Sequence, residues 1–395
     1  MPNLANNSQC TGCTACYAAC PNNCITMQQD KYGFVYPKID LKLCINCKKC
    51  ESVCPVIVGN KEITNVPLVY AAYNLDEKIR TESSSGGIFS LIANEILSQG
   101  GVVFGAIYDN QYKVKHVCIQ ELSDLSVLRG AKYAQSELND CFIDVQQRLN
   151  AKQKVMFVGT PCQIAGIKTF LKKEYENFFT VDFVCHGVPA PSVWEKYVQY
   201  RAKKDNDGIL PTNINLRSKK TGWSKYRYSN QYIYGNGKSY SALSGEDLFM
   251  RLFVGDYINR TSCENCHFKG YKRESDITLG DFWGIWDIDP DLDDNKGVSL
   301  VMIHSDIGRD MMKCISAKVF MKEFTMRQAT TQNPSLLFSS SAAHERVQVL
   351  NQCIKGNFDE IAEFLSKKDA KRSLFVDLIG RVIRRIKRKF KSIKL

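Results

Sequence analysis

Apolar positions along the chain alternate between two periods, and each change of period marks an element. Val69 to Tyr73 is a short strand candidate, and Gly87 to Ser98 predicts a helix with Ile88, Leu91, Ile92 and Ile96 on one face, stopped by Gly100-Gly101. Val102 to Tyr108 and Val114 to Gln120 predict two strands joined by a polar turn at Asp109-Asn110. There follow a helix from about Glu137 to Leu149, an apolar strand Val155 to Gly159, a helix from about Cys162 to Lys172, a strand Phe179 to Val184 and a helix Pro191 to Ala202. Such strand-helix-strand units favour parallel pairing with right-handed crossovers. Asn213 to Tyr240 predicts antiparallel strands around the turn Gly235-Asn236-Gly237, and Ile277 to Leu279 and Ser299 to His304 predict later strands.

The fold class is therefore α/β (α+β): a mixed-sheet body with a small module in front of it. Composition divides the chain into a Cys-rich segment at residues 1–60, a body at 61–355 and a helical tail with a basic end at 356–395. No low-complexity linker separates the first two, so they are expected to pack together.

The chain has 395 residues and 17 cysteines, nine of them within the first 54 positions. No apolar run of 18 residues and no basic-then-apolar leader occurs, which argues against secretion and a membrane span and for a cytoplasmic protein. In that setting short regular cysteine spacings point to metal rather than to disulfides. The formal charge of +12 counts every thiol as neutral, whereas ligated thiolates are anionic, so the loaded protein is less basic than the sum.

The runs Cys10-x2-Cys13-x2-Cys16-x3-Cys20-Pro21 and Cys44-x2-Cys47-x2-Cys50-x3-Cys54-Pro55 share one spacing. Three close cysteines wrap one corner of a cubane and the fourth, leading into proline, reaches the other cubane. Cluster one would use Cys10, Cys13, Cys16 and Cys54; cluster two would use Cys44, Cys47, Cys50 and Cys20. Zinc prefers two separated pairs and needs no Cys-Pro. Tyr32 to Pro37 predicts a hairpin covering the clusters, and Cys24, outside the run, reads as a packed thiol.

Four further cysteines stand at turns of the body. Cys162 opens a helix after one strand and Cys185 follows the next; if those strands are parallel neighbours, both emerge at one carboxyl edge of the sheet. Cys263 and Cys266 add two thiols on one turn. A third cluster on these four stands against the alternative of a two-thiol redox pair with inert core thiols. Cys118, Cys141, Cys314 and Cys353 read as core residues.

Two ferredoxin runs followed by Ser84-Ser85-Gly86-Gly87-Ile88-Phe89-Ser90, Gly130-Ala131-Lys132-Tyr133, Gly159-Thr160-Pro161-Cys162-Gln163, Cys185-His186-Gly187, Cys263-x2-Cys266 and Gly280-Asp281-Phe282-Trp283-Gly284 resemble the coenzyme F420 hydrogenase/dehydrogenase beta-subunit family. The resemblance covers about residues 8 to 305 and departs from the family's usual Gly-Ser-Lys-Tyr at Ala131. It implies a flavoprotein holding FAD beside its iron–sulfur centres, with cofactor contacts from Ser84, Ser85, Gly86, Gly87, Lys132, Tyr133, Thr160 and Gln163. Small residues opening a helix also suit a pyrophosphate, although an ordinary capped helix start has the same look. Lys132 is either a partner for phosphate or reduced flavin or a solvated lysine, and His186 is either a proton source or a loop residue.

The resulting expectation is an oxidoreductase that couples two-electron flavin chemistry to one-electron transfer through 4Fe–4S clusters. The alternative is a non-catalytic electron-transfer or adaptor subunit. Its redox partner would be reduced ferredoxin, NAD(P)H or a deazaflavin. Family members with this layout are similar to proteins encoded among cell-surface polysaccharide genes, which implies a small-molecule or lipid-linked substrate.

In the tail, Ile379, Val382, Ile383, Ile386, Phe390 and Ile393 recur at helical spacing among Arg381, Arg384, Arg385, Lys387, Arg388 and Lys391. This is the pattern either of a helix lying on an anionic membrane surface or of a helix docked on the body with a solvated basic face. No nucleic-acid motif accompanies it.

Overall fold

In the computed structural model, residues 1–59 and 66–370 are described. The amphipathic part of the tail, 371–395, lies outside them. The N-terminal module holds one antiparallel hairpin, β1 (Ile25–Gln29) and β2 (Val35–Ile39). The body is built on β3 (Leu68–Asn74), β4 (Val102–Tyr108), β5 (Val114–Ile119), β6 (Val155–Val158) and β7 (Phe178–Phe183). It continues with β8 (Asn213–Ser218), β9 (Ser229–Ile233), β10 (Ser239–Leu243), β11 (Ile277–Asp281), β12 (Ser299–Ile303) and β13 (Val319–Glu323).

Eight of these strands form one mixed sheet in the order β13-β3-β12-β11-β7-β6-β4-β5. The central β4, β6, β7 and β11 are mutually parallel, as the intervening helices require, while β5, β12, β3 and β13 join by antiparallel pairing. Both faces are covered, and side-chain alternation shows it. Val155 and Phe157 of β6 face the helices Cys141–Asn150 and Pro161–Leu171, whereas Met156 faces the helix Ile88–Ser98. Burying a side chain such as Phe157 fully is worth about 1.5–3 kcal/mol, so the sheet is held from both sides by the hydrophobic effect.

A second, antiparallel sheet, β10-β9-β8, packs with the helices Pro191–Asn206, Leu248–Val254 and Arg346–Lys355 around Trp194, Tyr197, Tyr232 and Phe249. The helix foreseen from Glu137 begins at Cys141, because the Glu137 backbone pairs with Val114 and His116 of β5 instead. A helix across 358–370 is the described beginning of the tail.

The module rests on the body. Thr169 Oγ1 donates to Val53 O at 2.7 Å, Tyr17 Oη to Asp140 at 2.7 Å, and Ser192 N to Tyr32 O at 3.1 Å. Arg260 is the joint. Its side chain is fully buried, donating to Cys10 O (2.8 Å), Val35 O (2.9 Å) and Gln135 Oε1 (2.9 Å), with the guanidinium 4.2 Å from the Tyr36 ring centre.

Candidate functional site

Two hollows open in the N-terminal module. Cys10, Cys13, Cys16 and Cys54 line one, together with Met27 and Pro37. Cys20, Cys44, Cys47 and Cys50 line the other, with Ile25 and Ile39. The hairpin explains the division. Ile25 pairs with Ile39 and Met27 with Pro37, two residues apart on one face, so each apolar pair serves one hollow. The hairpin tip does not cover the hollows: Tyr32 bonds to Asn351, and Gly33 lies so close to Ser192 that a Cβ there would come within 2.7 Å of its hydroxyl.

The chemistry of each hollow suits a cubane, being four thiols amid apolar walls. The hollow lined by Cys10 lies inside. Cys13 is buried against Gly166 of the helix Pro161–Leu171, where any Cβ would sit 2.9 Å from its sulfur, and burial pushes its thiol up to about 12. The other hollow lies outside, with Cys47 exposed. Cys24 lines it as well, its Sγ 3.3 Å from that of Cys20.

The body gathers its own four thiols. β6 and β7 are parallel neighbours, so Thr160-Pro161-Cys162 and Val184-Cys185-His186 leave the sheet at the same edge, and the turn Thr261–Cys263 meets them there. Proximity is visible in their electrostatics. Burial raises the Cys162 thiol well above its ordinary value and Cys266, Cys185 and Cys263 raise it further; Cys263, up to about 12, responds to burial and then to Cys185 and Cys266. Among the described residues no three such side chains close on a single ion.

Cations back this group. Burial pushes Cys185 up, to about 11, while Lys269 and Arg273 pull it down. Lys269 Nζ is anchored on the carbonyls of Cys185, His186 and Ser335, and Arg273 pairs with buried Asp182 at 3.3 Å, itself bonded to Thr278. His186 has Asp256 Oδ1 2.8 Å from Nε2, at ion-pair distance but out of line for a hydrogen bond, and Ser335 Oγ 3.2 Å from Nδ1.

A second polar centre lies along the same edge. The loop that follows the helix Glu77–Glu82 and the end of β11 bring Ser84, Ser85 and Asp281 together, and Arg217, arriving from β8, makes two 2.8 Å bonds to Asp281. The same guanidinium reaches Tyr133 Oη at 3.3 Å and Ser84 O at 3.5 Å, and lies 4.2 and 5.1 Å from the rings of Tyr228 and Trp283. Lys219 Nζ donates to Ser85 O (2.6 Å), Arg80 O (2.6 Å) and Lys296 O (2.7 Å), and burial lowers its pKa to about 7. Ser84 Oγ, Arg217 Nε and Tyr108 Oη are buried polar atoms with no hydrogen-bond partner among the described residues.

The family pattern for the coenzyme F420 hydrogenase/dehydrogenase beta subunit matches residues 69–142 with its N-terminal part and 152–327 with its C-terminal part, and a 4Fe–4S dicluster domain matches residues 9–58. The chain belongs to this beta-subunit family. Two "ferredoxin-like protein in nif region" sequences are similar to its module: one from Sinorhizobium fredii, 44% identical over 55 residues, and one from Rhizobium leguminosarum bv. trifolii, 34% identical over 55 residues. Each match spans 12% of this chain and 78% of the relative. A chain of the F420-reducing NiFe hydrogenase complex from Methanosarcina barkeri superposes with a TM-score of 0.45 at 15% identity, over 76% of this chain and 93% of that one.

Within this beta-subunit body, the foreseen cofactor residues divide. Ser84, Ser85 and Tyr133 stand at the Arg217–Asp281 pair. Gly86 and Gly87 shape the approach: the Gly86 amide donates to Ser299 Oγ at 2.9 Å, its Cβ position is filled by Ala72 O, and Gly87 at φ +83° starts the helix Ile88–Ser98. Lys132, Thr160 and Gln163 are occupied locally. Lys132 Nζ caps the carbonyls of Val127, Leu128 and Arg129 at a helix end. Gln163 Oε1 accepts from Thr160 N at 2.8 Å, and Thr160 Oγ1 lies 3.1 Å from Cys162 Sγ. Arg217, Lys219 and Arg260 escaped the sequence reading, since isolated cations in strands and loops look like solvated side chains; a basic run at a strand end, Arg217-Ser218-Lys219-Lys220, was the only signal.

Proposed function

We propose that this chain is an iron–sulfur flavoprotein oxidoreductase in which three 4Fe–4S clusters serve a flavin bound at the carboxyl edge of the main sheet. The observation that carries the reading is the convergence of Cys162, Cys185, Cys263 and Cys266 beside Arg260, whose other side touches the Cys10 loop. Arg260 is a buried cation bonded only to neutral oxygens among the described residues. Thiolate-ligated clusters on either side supply the negative charge that a buried guanidinium otherwise lacks.

Cys10, Cys13, Cys16 and Cys54 would hold the inner cluster of the module, Cys20, Cys44, Cys47 and Cys50 the outer one, and the four body cysteines the third. The flavin, when bound, supplies the exchange between two-electron and one-electron chemistry. The chain's own residues do the rest. Arg217 and Lys219 present positive charge, with Ser84 Oγ and Arg217 Nε free to bond a polar ligand, and Asp281 fixes the guanidinium in place. Trp283 and Tyr228 wall the site with rings. Phe253 joins the two centres: its ring centre is 5.2 Å from that of His186 and 5.0 Å from that of Tyr133. His186, with Asp256 Oδ1 2.8 Å from Nε2, stands beside Cys185 where a proton source would be needed.

The substrate class in this proposal is a small-molecule or lipid-linked intermediate, with a deazaflavin, NAD(P)H or reduced ferredoxin as redox partner. Iron, acid-labile sulfide and extractable flavin on protein purified without oxygen test the reading. About twelve irons and one FAD per chain are expected; about eight irons without flavin overturn it in favour of an electron-transfer subunit.

A further inference from the structure

The outer hollow of the module opens on an unusual rim. Leu41, Leu43 and Ile45 are 58%, 54% and 62% exposed, in a segment where Lys42, Lys48 and Lys49 are exposed as well. Ile45, Cys47 and Lys48 also line the hollow itself, so the rim and the wall of the metal site are the same residues. None of the three lysines is paired with a carboxylate among the described residues. The two nearest acids in sequence are already engaged by backbone amides: Asp40 Oδ1 accepts from Lys42 N at 2.9 Å and Glu51 Oε1 from Asn3 N at 2.6 Å.

Three large apolar side chains ringed by lysines that have no carboxylate partner among the described residues have the anatomy of a small transient interface, with an apolar centre and a charged rim. The charge selects the occupant. A second copy meeting through this patch would set lysine against lysine, and the basic tail of the chain carries the same sign. Redox encounters are characteristically small and are steered by complementary charge. We infer that residues 41–49 are the docking face for an acidic one-electron carrier protein, which delivers electrons to or takes them from the outer cluster. This inference rests on the cluster assignment proposed above.

Position supports the polarity of the path. Cys47 is exposed at this face, whereas Cys13 of the inner hollow is buried against the helix that begins at Cys162. A carrier seated on residues 41–49 thus meets the outer hollow first, and the inner hollow lies between it and the body.

The test uses the anaerobically purified full chain and a reduced acidic 2Fe–2S ferredoxin as probe, with methyl viologen as a small cationic reductant. Cluster bleaching is followed by stopped flow. The wild-type rate with ferredoxin is expected to fall at least about tenfold as ionic strength rises from low to physiological and beyond, and Lys42→Glu with Lys49→Glu is expected to slow it at least about tenfold at low salt. Leu43→Ser is expected to slow it at every salt concentration. The rate with reduced methyl viologen does not fall in the variants, since charge reversal repels the acidic ferredoxin but not a cation, and their iron content is measured alongside. Lys48 is left alone because its φ of +58° makes substitutions there a backbone experiment too.

If viologen reduces the clusters while the ferredoxin rate ignores both salt and charge reversal, the docking face is refuted and the cluster reading stands. If viologen leaves the protein oxidised, the cluster reading fails and this inference fails with it. The salt dependence of the wild-type chain decides the matter even if a variant loses iron.

Discussion

The outer half of the N-terminal module and the body both gather thiols, but with opposite kinds of support. Around Cys20, Cys44, Cys47 and Cys50 the apolar core consists of little more than Cys24, Ile25 and Cys50 with a few half-buried neighbours. Around Cys162 and Cys185 stands a two-faced sheet with dozens of buried atoms from Phe104, Phe142, Met156, Phe157, Val181 and Ile277. The module brings its cysteines together by short spacing, and with so small an apolar core its fold is expected to depend on the metal. The body brings together residues distant in sequence through strand register, so its edge is expected to persist without metal.

Iron removal breaks or sharpens that contrast, and it is the largest effect expected. In chain stripped of iron under reducing conditions, amide hydrogen exchange across residues 20–50 is expected to rise to near the unprotected rate. β4, β6 and β7 are expected to keep their protection. Equal loss in both regions would show that the third thiol group, too, is organised by its metal. The inner half of the module should fall between the extremes, since Cys13, Ala15 and Val53 belong to the same apolar cluster as Phe142 and Phe157.

The second effect is at the joint. Arg260→Met leaves Cys10 O and Val35 O without their buried donor, while Gln135 Oε1 keeps only the Val35 amide at 3.3 Å, and each unpaired acceptor costs about 1–3 kcal/mol. A loss of roughly 3 kcal/mol or more in unfolding free energy is expected, read by denaturant titration of the loaded protein. Iron content should survive, because no ligand is removed. Electron passage from module to body should slow, because the Cys10 loop is no longer tied to the Cys263 turn. A variant that unfolds no more easily than wild type would mean that the module is held by Thr169, Tyr17 and the hairpin tip alone.

The same contrast governs what could be read from sequence. The two cysteine runs were legible because their chemistry is local, and the shared edge of Cys162 and Cys185 followed from one parallel pairing. Most strands were legible from their apolar periods. β13 was not: Val319–Glu323 is an edge strand with one buried residue and two exposed charged ones, so its pattern is that of a loop. The polar centre was half legible. Ser84, Ser85, Tyr133 and Asp281 lie in recognisable motifs, but Arg217 and Lys219 come from another sheet, and only tertiary packing places them there. Lys132 stands on the carbonyls that close a helix, a role that in sequence looks the same as that of a lysine meeting a phosphate.

The smallest effect concerns Lys219, where the body's polar centre titrates near neutrality. Burial lowers its pKa to about 7, while an unfolded lysine stays near its ordinary value of about 10.4. Between those limits the unfolded chain binds a proton that the folded chain does not, so this group makes stability rise with pH, by up to about 1.4 kcal/mol per unit. Below about pH 7 both states are protonated and the slope from this residue vanishes. Lys219→Met is therefore expected to flatten the pH dependence of unfolding between about pH 7 and 10, with no change around the module's thiols. It also removes donors from Ser85 O, Arg80 O and Lys296 O, so the variant should be less stable throughout while being less sensitive to pH. Denaturant midpoints at pH 7, 8 and 9 decide it: parallel curves for variant and wild type would mean that the three carbonyls keep the ammonium charged despite its burial.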